Sequence, residues 1–413
     1  MLAPARTELA IFAARLSELR ITVTDIQQRR KDGRPAGSLV QQQVRLERAI
    51  RDHRREFPGA AAGLAPRPKS VGEIVYRLGD AALIEYVELD EQLHAVTVVA
   101  GRISLHALGP ASAVRNEMDY LPFALHRLAN VRTRAASRAA AEAVLRRAGG
   151  VFDDVLIRPL ERHVADRPLV IVPSAGLQSL PWSVLPSCAD RPLVVSPSTA
   201  LWHAAACLAA TPTPATVVAV AGPELPGAEH EAKAVAALYP GSVLLAGGAA
   251  TAARLSAAID GAGLVHLAAH GAVRADNPLF SALLMADGPF TIYDLERLRR
   301  APRTVVLAAC DTGRQHVLAG DEILGFTAAL LAGGTATLVA PVVPVPDVET
   351  APFMLAYHAH LRAGRSPAGA LASAQAELRS ADPVVGASAV GFVCLGAGLR
   401  DDAPPAARAA PSR

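Results

Sequence analysis

Two side chains suited to nucleophilic catalysis stand at the ends of two apolar segments. The first segment, 263–271, reads GLVHLAAHG and carries His270 before its final glycine. The second, 304–313, reads TVVLAACDTG and carries Cys310. A thiolate is a strong nucleophile, and a neighbouring imidazole can take up and return the proton that this chemistry moves. These residue types predict a cysteine nucleophile with a histidine partner, if the fold brings the two segments together.

Both segments have the composition of buried strands. Continuous runs of Val, Leu and Ala fit strands covered on both faces, as in a parallel sheet. Sites in open α/β sheets lie beyond the carboxyl ends of the strands, which is where His270 and Cys310 fall. Forty residues separate them, enough for a crossover connection between neighbouring strands. We therefore predict that the two residues lie at adjacent strand ends.

Composition narrows the class of protein. Hydrophobic residues make up 51% of the 413 residues and aromatic residues only 4%, a bias typical of a high-G+C bacterial genome. The net charge is +3 and the basic residues are scattered, whereas a nucleic-acid-binding protein needs a clustered basic face. No apolar run reaches about 18 residues without Gly, Pro or a charge. We expect neither a nucleic-acid partner nor a membrane partner.

Cysteine usage argues against a disulfide framework and against a zinc module. The four cysteines stand at positions 188, 207, 310 and 394. They form no CxxC pair and have no histidine-rich companion, which fits a reducing compartment. The N-terminal stretch carries Arg6 and Glu8 and lacks the layout of a secretory signal. We expect a cytoplasmic protein that requires no metal and no organic cofactor.

The first hundred residues predict two small structural units. Residues 5–29 and 38–55 have apolar residues at helical spacing and flank a KDGRPAG turn, which indicates a helical hairpin. Two helices fit a cap on the main domain better than the last unit of a repeat array. Short β-like runs at 82–87, 94–100 and 102–108 predict an antiparallel meander.

Helical and strand patterns alternate through the rest of the chain. Helices are expected at 112–129, 133–148, 199–210, 228–239, 251–260, 321–333, 348–363 and 366–380. Strands are expected at 168–174, 193–197, 216–221, 243–246, 264–269, 282–285, 304–309, 335–340 and 391–395. This alternation indicates βαβ units and a largely parallel sheet.

Six segments together resemble the CHAT domain, a caspase-like fold related to separases, gingipains and caspases. They are 169–185 (LVIVPSAGLQSLPWSVL), 221–231 (AGPELPGAEHE), 264–281, 305–313, 319–334 (AGDEILGFTAALLAGG) and 391–396. Each motif is short, and the resemblance rests on their order, spacing and strand-end positions. It implies an α/β fold with a caspase-like, largely parallel sheet flanked by helices, to which the hairpin and the meander are added.

The sequence patterns and the resemblance together suggest a division of the chain. We predict an N-terminal helical hairpin (1–58), a linker (59–70), a CHAT caspase-like domain (71–399) with an N-terminal half (71–212) and a catalytic half (213–399), and a disordered tail (400–413).

The family pattern assigns roles to several residues. It implies that Cys310 is the nucleophile, that His270 is its partner, and that backbone N–H groups at Gly271 and Cys310 face the developing oxyanion. The chain departs from the pattern after strand 335–340, where many members carry a Trp and this sequence has Val343 in the matching place. Val343 is therefore a candidate for the substrate-pocket wall.

Acidic residues and a second histidine lie near the predicted site. Asp311 and Asp321 are candidates for contacting a basic side chain of a substrate, but a position at the start of a helix explains Asp321 better, whereas for Asp311 both interpretations stay open. Glu231 falls early in a predicted helix, where an acidic residue again favours the helix dipole. His266 shares the face of His270 but lies deeper in its strand, and we interpret it as a packed core histidine.

The sequence supports a cysteine endopeptidase that acts on a protein substrate and is regulated by a protein partner. A catalytically silent caspase-like scaffold that only binds proteins is the alternative. An acyltransferase using the same thiol is a third reading, and the sequence contains nothing that separates it from hydrolysis.

Overall fold

A mixed α/β architecture is seen in the computed structural model, which describes residues 6–56, 70–272, 274, 280–308, 329–343 and 347–400. Three predicted segments lie wholly or largely outside the described residues: the linker 59–70 except Ser70, most of the helix 321–333, and the tail 400–413 except Arg400.

The described helices and strands follow one another from the N-terminal hairpin to the last strand of the sheet. The helices are α1 (Arg6–Lys31), α2 (Gly37–Glu56), α3 (Val71–Leu78), α4 (Ser112–Met118), α5 (Leu121–Ala129), α6 (Ala135–Leu156), α7 (Glu161–Val164), α8 (Thr199–Ala209), α9 (Ala228–Leu238), α10 (Ala252–Ile259), α11 (Ile292–Leu295), α12 (Asp347–Arg362), α13 (Pro367–Ala381) and α14 (Pro383–Val390). The strands are β1 (Ala82–Leu89), β2 (Gln92–Val99), β3 (Arg102–Pro110), β4 (Leu169–Val172), β5 (Leu193–Val195), β6 (Val217–Ala221), β7 (Val243–Leu245), β8 (Leu264–Ala268), β9 (Gly271–Ala272), β10 (Ala282–Met285), β11 (Gly288–Thr291), β12 (Thr304–Leu307), β13 (Thr337–Pro341) and β14 (Phe392–Gly396).

Eleven of the described strands form one sheet in the order β3-β2-β1-β4-β5-β14-β13-β12-β8-β6-β7. Its pairings are parallel except within β1–β2–β3 and between β13 and β14. Strands β9, β10 and β11 form a separate antiparallel sheet. The predicted fold class, a largely parallel sheet flanked by helices with a small antiparallel β unit, is confirmed.

The predicted meander is present and extends the main sheet. Two tight turns join its strands, with positive φ at Asp90 and Glu91 in the first and at Ala100 and Gly101 in the second. Such turns match the twist of antiparallel strands. Because β1 also pairs in parallel with β4, the meander continues the large sheet.

Cores on both faces of the sheet explain the continuous apolar runs. In β8, Leu264 and Ala268 join a core that includes residues of α9 and α12, whereas Val265 and Leu267 join a core that includes residues of α10 and β10. A strand covered in this way has no solvent face, so its sequence shows no alternation.

Some elements differ from the sequence-based expectation. Helix α6 was expected to end at 148 but runs to Leu156 through two glycines. At Gly149 the Val184 carbonyl would lie 2.5 Å from a Cβ, so the glycine permits close packing inside the helix. Helices α3, α7, α11 and α14 and strands β9 and β11 were not predicted. Most of these are four residues or shorter, or lack periodicity.

Replacing Gly263 with alanine should destabilise the protein. A Cβ at this position would lie 1.9 Å from the Pro214 carbonyl oxygen, so the backbone that leads into β8 would have to move. Overpacking of this kind costs about 1–3 kcal/mol. Thermal unfolding should show a lower Tm for Gly263→Ala, while Gly248→Ala is the control because its Cβ meets no atom within 4 Å. Equal Tm values for the two variants would contradict this reading.

Candidate active site

His270 lies two residues beyond the carboxyl end of β8, as predicted, and its two ring nitrogens have different surroundings. Nε2 lies 3.1 Å from the backbone oxygen of Glu224. Nδ1 is buried and has no hydrogen-bond partner among the described residues. A carbonyl oxygen only accepts hydrogen bonds, so Nε2 carries the proton in this contact. In the neutral imidazole Nδ1 is then the basic atom.

The Glu224 carbonyl is presented by a strained turn between β6 and α9. Glu224 has a φ of +58°, a left-handed conformation that is uncommon for residues other than glycine. Close by, the Gly222 N–H donates to the Ala268 carbonyl at 2.8 Å, which holds the turn against the end of β8. Strain of this kind costs about 1–3 kcal/mol and concentrates at functional sites.

On its other side, His270 leads into the small antiparallel sheet. Gly271 begins β9 and pairs with Leu283 of β10. The Leu284 N–H donates to the His270 carbonyl at 2.8 Å. The backbone on both sides of the imidazole is therefore fixed by hydrogen bonds, to β6 through the preceding residues and to β10 through His270 itself.

Strands β8 and β12 are hydrogen-bonded parallel neighbours, as predicted from the two apolar segments. Thr304 pairs with Leu264 and Leu307 with Leu267, and the Ala308 N–H donates to the Leu267 carbonyl at 2.9 Å. Their carboxyl ends therefore meet at one edge of the sheet. Cys310, Asp311 and Asp321 lie outside the described residues.

Val343, the candidate for the pocket wall, is buried with 3% of its surface exposed. It belongs to a core that also contains Trp182 and Val390. Its contact with a substrate stays a prediction.

A chain of buried polar side chains lies behind His270, on the face of the sheet that α9 and α12 cover. Glu231 Oε1 lies 2.9 Å from His266 Nε2, His266 Nδ1 lies 3.1 Å from His358 Nε2, and His358 Nδ1 lies 3.0 Å from the Tyr239 hydroxyl. All four side chains are buried, and the two histidines are completely so. The chain connects β8, both ends of α9, and α12.

Sequence reasoning identified only part of this network. His266 is buried, as predicted, but it binds a carboxylate as well as packing in the core. Glu231, interpreted from the sequence as a helix-start residue, is bonded to His266. His358 was not singled out. A buried polar residue inside an apolar helix is the signal that points to it, since such groups need partners.

Burial sets the protonation of the two network members farthest from Glu231. Desolvation, with a smaller contribution from His266, lowers the pKa of His358 well below its ordinary value. Desolvation also raises the pKa of Tyr239 well above its ordinary value. His358 is therefore neutral, and the Tyr239 hydroxyl keeps its proton.

The three cysteines within the described residues belong to elements other than the one that positions His270. Cys188 and Cys394 are buried, and desolvation raises the pKa of Cys188 to about 12. Cys207 is half-buried beside His203 on α8, with its Sγ 3.7 Å from Nδ1. Cys188 is held as a thiol and behaves as a small apolar residue.

Comparison with known families decides how this arrangement is classified. A family model described as the CHAT domain matches residues 146–405, more than half of the chain. The chain belongs to the CHAT domain family. The match covers β8, β12 and His270, together with Cys310.

Solved structures show the relationship of this CHAT domain to caspase-like folds. The 3.0 Å structure of the Saccharomyces cerevisiae separase–securin complex matches with a TM-score of 0.58 and 9% identity, over 79% of this chain and 30% of the matched chain. The 2.6 Å structure of that complex matches with a TM-score of 0.54 and 9% identity, over 79% of this chain and 31% of the matched chain. The complex of the Porphyromonas gingivalis RgpB pro- and mature domains matches with a TM-score of 0.43 and 12% identity, over 71% of this chain and 78% of the matched chain.

The separase match shows that the two proteins share a fold, and it shows nothing further about this chain. At 9% identity it shows a shared caspase-like architecture, and the chain spans less than a third of the length of the matched separase chains. A comparison with curated protein sequences gives no match. None of the helices in the described ranges is long and apolar enough to cross a membrane. Within those ranges, no group of three or more His, Cys, Asp or Glu residues could hold a metal ion.

The buried histidine network of this CHAT domain should make its stability pH-dependent. The folded-state pKa of His358 lies below the ordinary value of 6.5, so the contribution of His358 is fully present above that pH. It is lost as the pH falls from about 6.5 towards the folded-state pKa, because only the unfolded chain binds the proton, at up to about 1.4 kcal/mol per pH unit. His358→Gln should therefore show a shallower loss of unfolding free energy in denaturant titrations between pH 6.5 and 5.

His360→Gln is the matched control for this measurement. His360 lies on the same helix, but its side chain is 25% exposed and contacts Glu377, so water reaches it without unfolding. If both variants change the pH slope equally, the buried network does not set it.

Proposed function

We propose that the chain is a cysteine endopeptidase in which Cys310 attacks the scissile carbonyl of a protein substrate and His270 moves the proton. Membership of the CHAT family and the caspase-like fold support this class of activity. The register of β8 and β12 is the observation that supports giving these two roles to Cys310 and His270.

Each described pair in that ladder joins residues forty positions apart, and His270 and Cys310 are also forty positions apart. If the two segments continue in register beyond Ala268 and Leu307, His270 and Cys310 lie opposite each other. Paired strands are about 4.8 Å apart, and paired residues point to the same face. This spacing allows the imidazole to reach the thiol.

The surroundings of His270 support a role in proton transfer. Because Nε2 donates to the Glu224 carbonyl, Nδ1 is the atom available to take the proton of a thiol. A base needs hydrogen-bond reach and the correct tautomer. The described contacts supply the tautomer, and the strand register supports the reach.

Gly271 is suited to binding the oxyanion. In an antiparallel ladder, alternate residues direct their N–H groups towards and away from the partner strand. The Leu284 N–H bonds to His270, and Gly271 is paired one position further along, so the Gly271 N–H is directed away from β10. With the Cys310 N–H it forms the proposed pair of donors to the developing charge.

The reaction needs only these groups and water. The sulfur forms a bond to the carbonyl carbon, the C–N bond of the peptide breaks, and the leaving amine takes the proton from His270. Water then releases the acyl group and restores the thiol. In this scheme Asp311 and Asp321 are candidates for contacting a basic substrate side chain, Val343 for the pocket wall, and a protein partner for the activator.

Cys310→Ala should abolish thiol-dependent cleavage and leave the Tm close to that of the native protein. Loss of a nucleophile lowers turnover by roughly 10³-fold or more, since the remaining groups cannot form the acyl intermediate. The measurement is digestion of a peptide library, with cell lysate supplied as a source of activator. Cys207→Ala is the control because it removes a half-buried thiol elsewhere.

Two results would count against the proposal. Cleavage that persists in Cys310→Ala would show a different nucleophile. No thiol-dependent cleavage with any lysate, together with slow alkylation of Cys310, would indicate a silent binding scaffold.

A further inference from the structure

The N-terminal hairpin packs against the segment that directly follows His270. Apolar residues of α1 and α2 form a shared core with Phe280 and Tyr293 of that segment: Phe12, Leu16, Leu19, Leu46 and Ile50. The Phe12 and Tyr293 rings meet edge to face with centroids 5.8 Å apart. The described part of 271–296 is called the rim of the proposed site. The hairpin and this rim are therefore parts of one packed unit.

Gly288, which opens β11, shows how close this contact is. A Cβ at Gly288 would lie 2.9 Å from Thr24 Oγ1 and 3.0 Å from the Arg20 carbonyl oxygen, both on α1. Its φ of +119° is also one that side chains rarely adopt. Only glycine therefore lets α1 lie directly on the turn between β10 and β11.

Among the described residues, three ion pairs join the hairpin to this segment. Arg20 binds Asp294 at 2.9 Å, with both side chains buried. Arg54 binds Glu296 through two contacts of 2.7 and 3.2 Å. Arg274 binds Glu47 through two contacts of 2.9 and 3.3 Å, and Glu47 is buried. Two-point contacts between a guanidinium and a carboxylate fix direction as well as distance.

Of these three pairs, Glu47–Arg274 is the closest to His270 along the chain. Arg274 follows Ala272, the last residue of β9, by two positions, and its N–H donates to Ser281 Oγ next to β10 at 3.2 Å. Strand β10 in turn holds the His270 carbonyl. On the opposite side, Lys31 at the end of α1 forms an ion pair with Glu224, whose carbonyl accepts from His270. The hairpin thus contacts both segments that hold the imidazole.

We propose that Glu47 is a positioning residue for His270, acting through Arg274 and the β9–β10 pairing. This inference deepens the proposed function, because it makes the hairpin part of the unit that orients the catalytic histidine. Glu47 is the stronger of the two anchors, since its contact is two-point and Glu47 itself is buried, whereas both side chains of the Lys31–Glu224 pair are exposed.

Glu47→Gln tests the proposal, with Glu296→Gln as the matched control. Each substitution removes the charge of a carboxylate that makes a two-point contact with an arginine between the hairpin and the rim. The Glu296 pair, however, lies beyond β11 and away from His270. Melting curves establish that both variants are folded. Arg274→Lys, which keeps the charge but loses the two-point contact, is the second variant.

The first readout does not depend on catalysis. Amide hydrogen exchange at 268–272 should accelerate about tenfold in Glu47→Gln, the factor expected for one lost charge-assisted hydrogen bond, and remain near the native rate in Glu296→Gln. Equal acceleration in the two variants, or none in Glu47→Gln and Arg274→Lys, would overturn the proposal.

The second readout follows the pH profile of Cys310 alkylation by iodoacetamide, measured on the modified peptide. Glu47→Gln should move this profile towards that of His270→Gln, and the paired exchange Glu47→Arg with Arg274→Glu should restore it. A Glu47→Gln profile that coincides with the native one, while that of His270→Gln differs, overturns the positioning role and leaves the peptidase proposal standing. If the His270→Gln and native profiles coincide, the proposed pairing of His270 with Cys310 is wrong. The hydrogen-exchange rates at 268–272 then decide whether Glu47 holds the backbone around His270.

Discussion

The parallel pairing of β8 with β6 on one side and β12 on the other is the constraint on which the site depends. The ladder places His266 between Ala219 and Val306, and His270 lies two residues beyond the carboxyl end of β8. A slip of one residue would turn both histidines to the opposite face, away from α9 and the Glu224 turn. Because apolar cores cover both faces of β8, such a slip would also leave His266 buried without its carboxylate.

Helix α9 links this ladder to the site. Removing one partner of the buried Glu231–His266 hydrogen bond would leave the other polar group unpaired in the core, at a cost of about 1–3 kcal/mol or more, whereas an exposed ion pair such as Lys31–Glu224 contributes about 0–1 kcal/mol. The position of α9 is therefore determined mainly by its buried contact with His266 and less by the exposed ion pair. The turn that precedes α9 then holds Glu224 at a positive φ, and the buried anchor offsets the local strain.

The strands and the position of His270 could be predicted from the sequence, because buried parallel strands have a recognisable apolar pattern. A reactive residue at the end of such a pattern can be identified from its residue type alone. Glu231 lies in the first turn of α9, as predicted, but its bond to His266 was not foreseen, since an acidic residue in the first turn of a helix has the same appearance whether or not it also binds a buried histidine. The Glu224 contact has no sequence signal, because every residue has a carbonyl. Cys310, Asp311 and Asp321 stay predictions, as they lie outside the described residues.

The choice of partner for each histidine has a chemical consequence. The carboxylate that faces β8, Glu231, is bonded to His266 in the core, whereas His270 meets a neutral carbonyl. A carboxylate would stabilise the imidazolium strongly, but a carbonyl fixes orientation and tautomer without adding charge. In the proposed mechanism, the positive charge on His270 is therefore balanced by the thiolate of Cys310. The strength of that balance falls with distance, so reactivity depends on how accurately β8, α9 and the rim hold the imidazole.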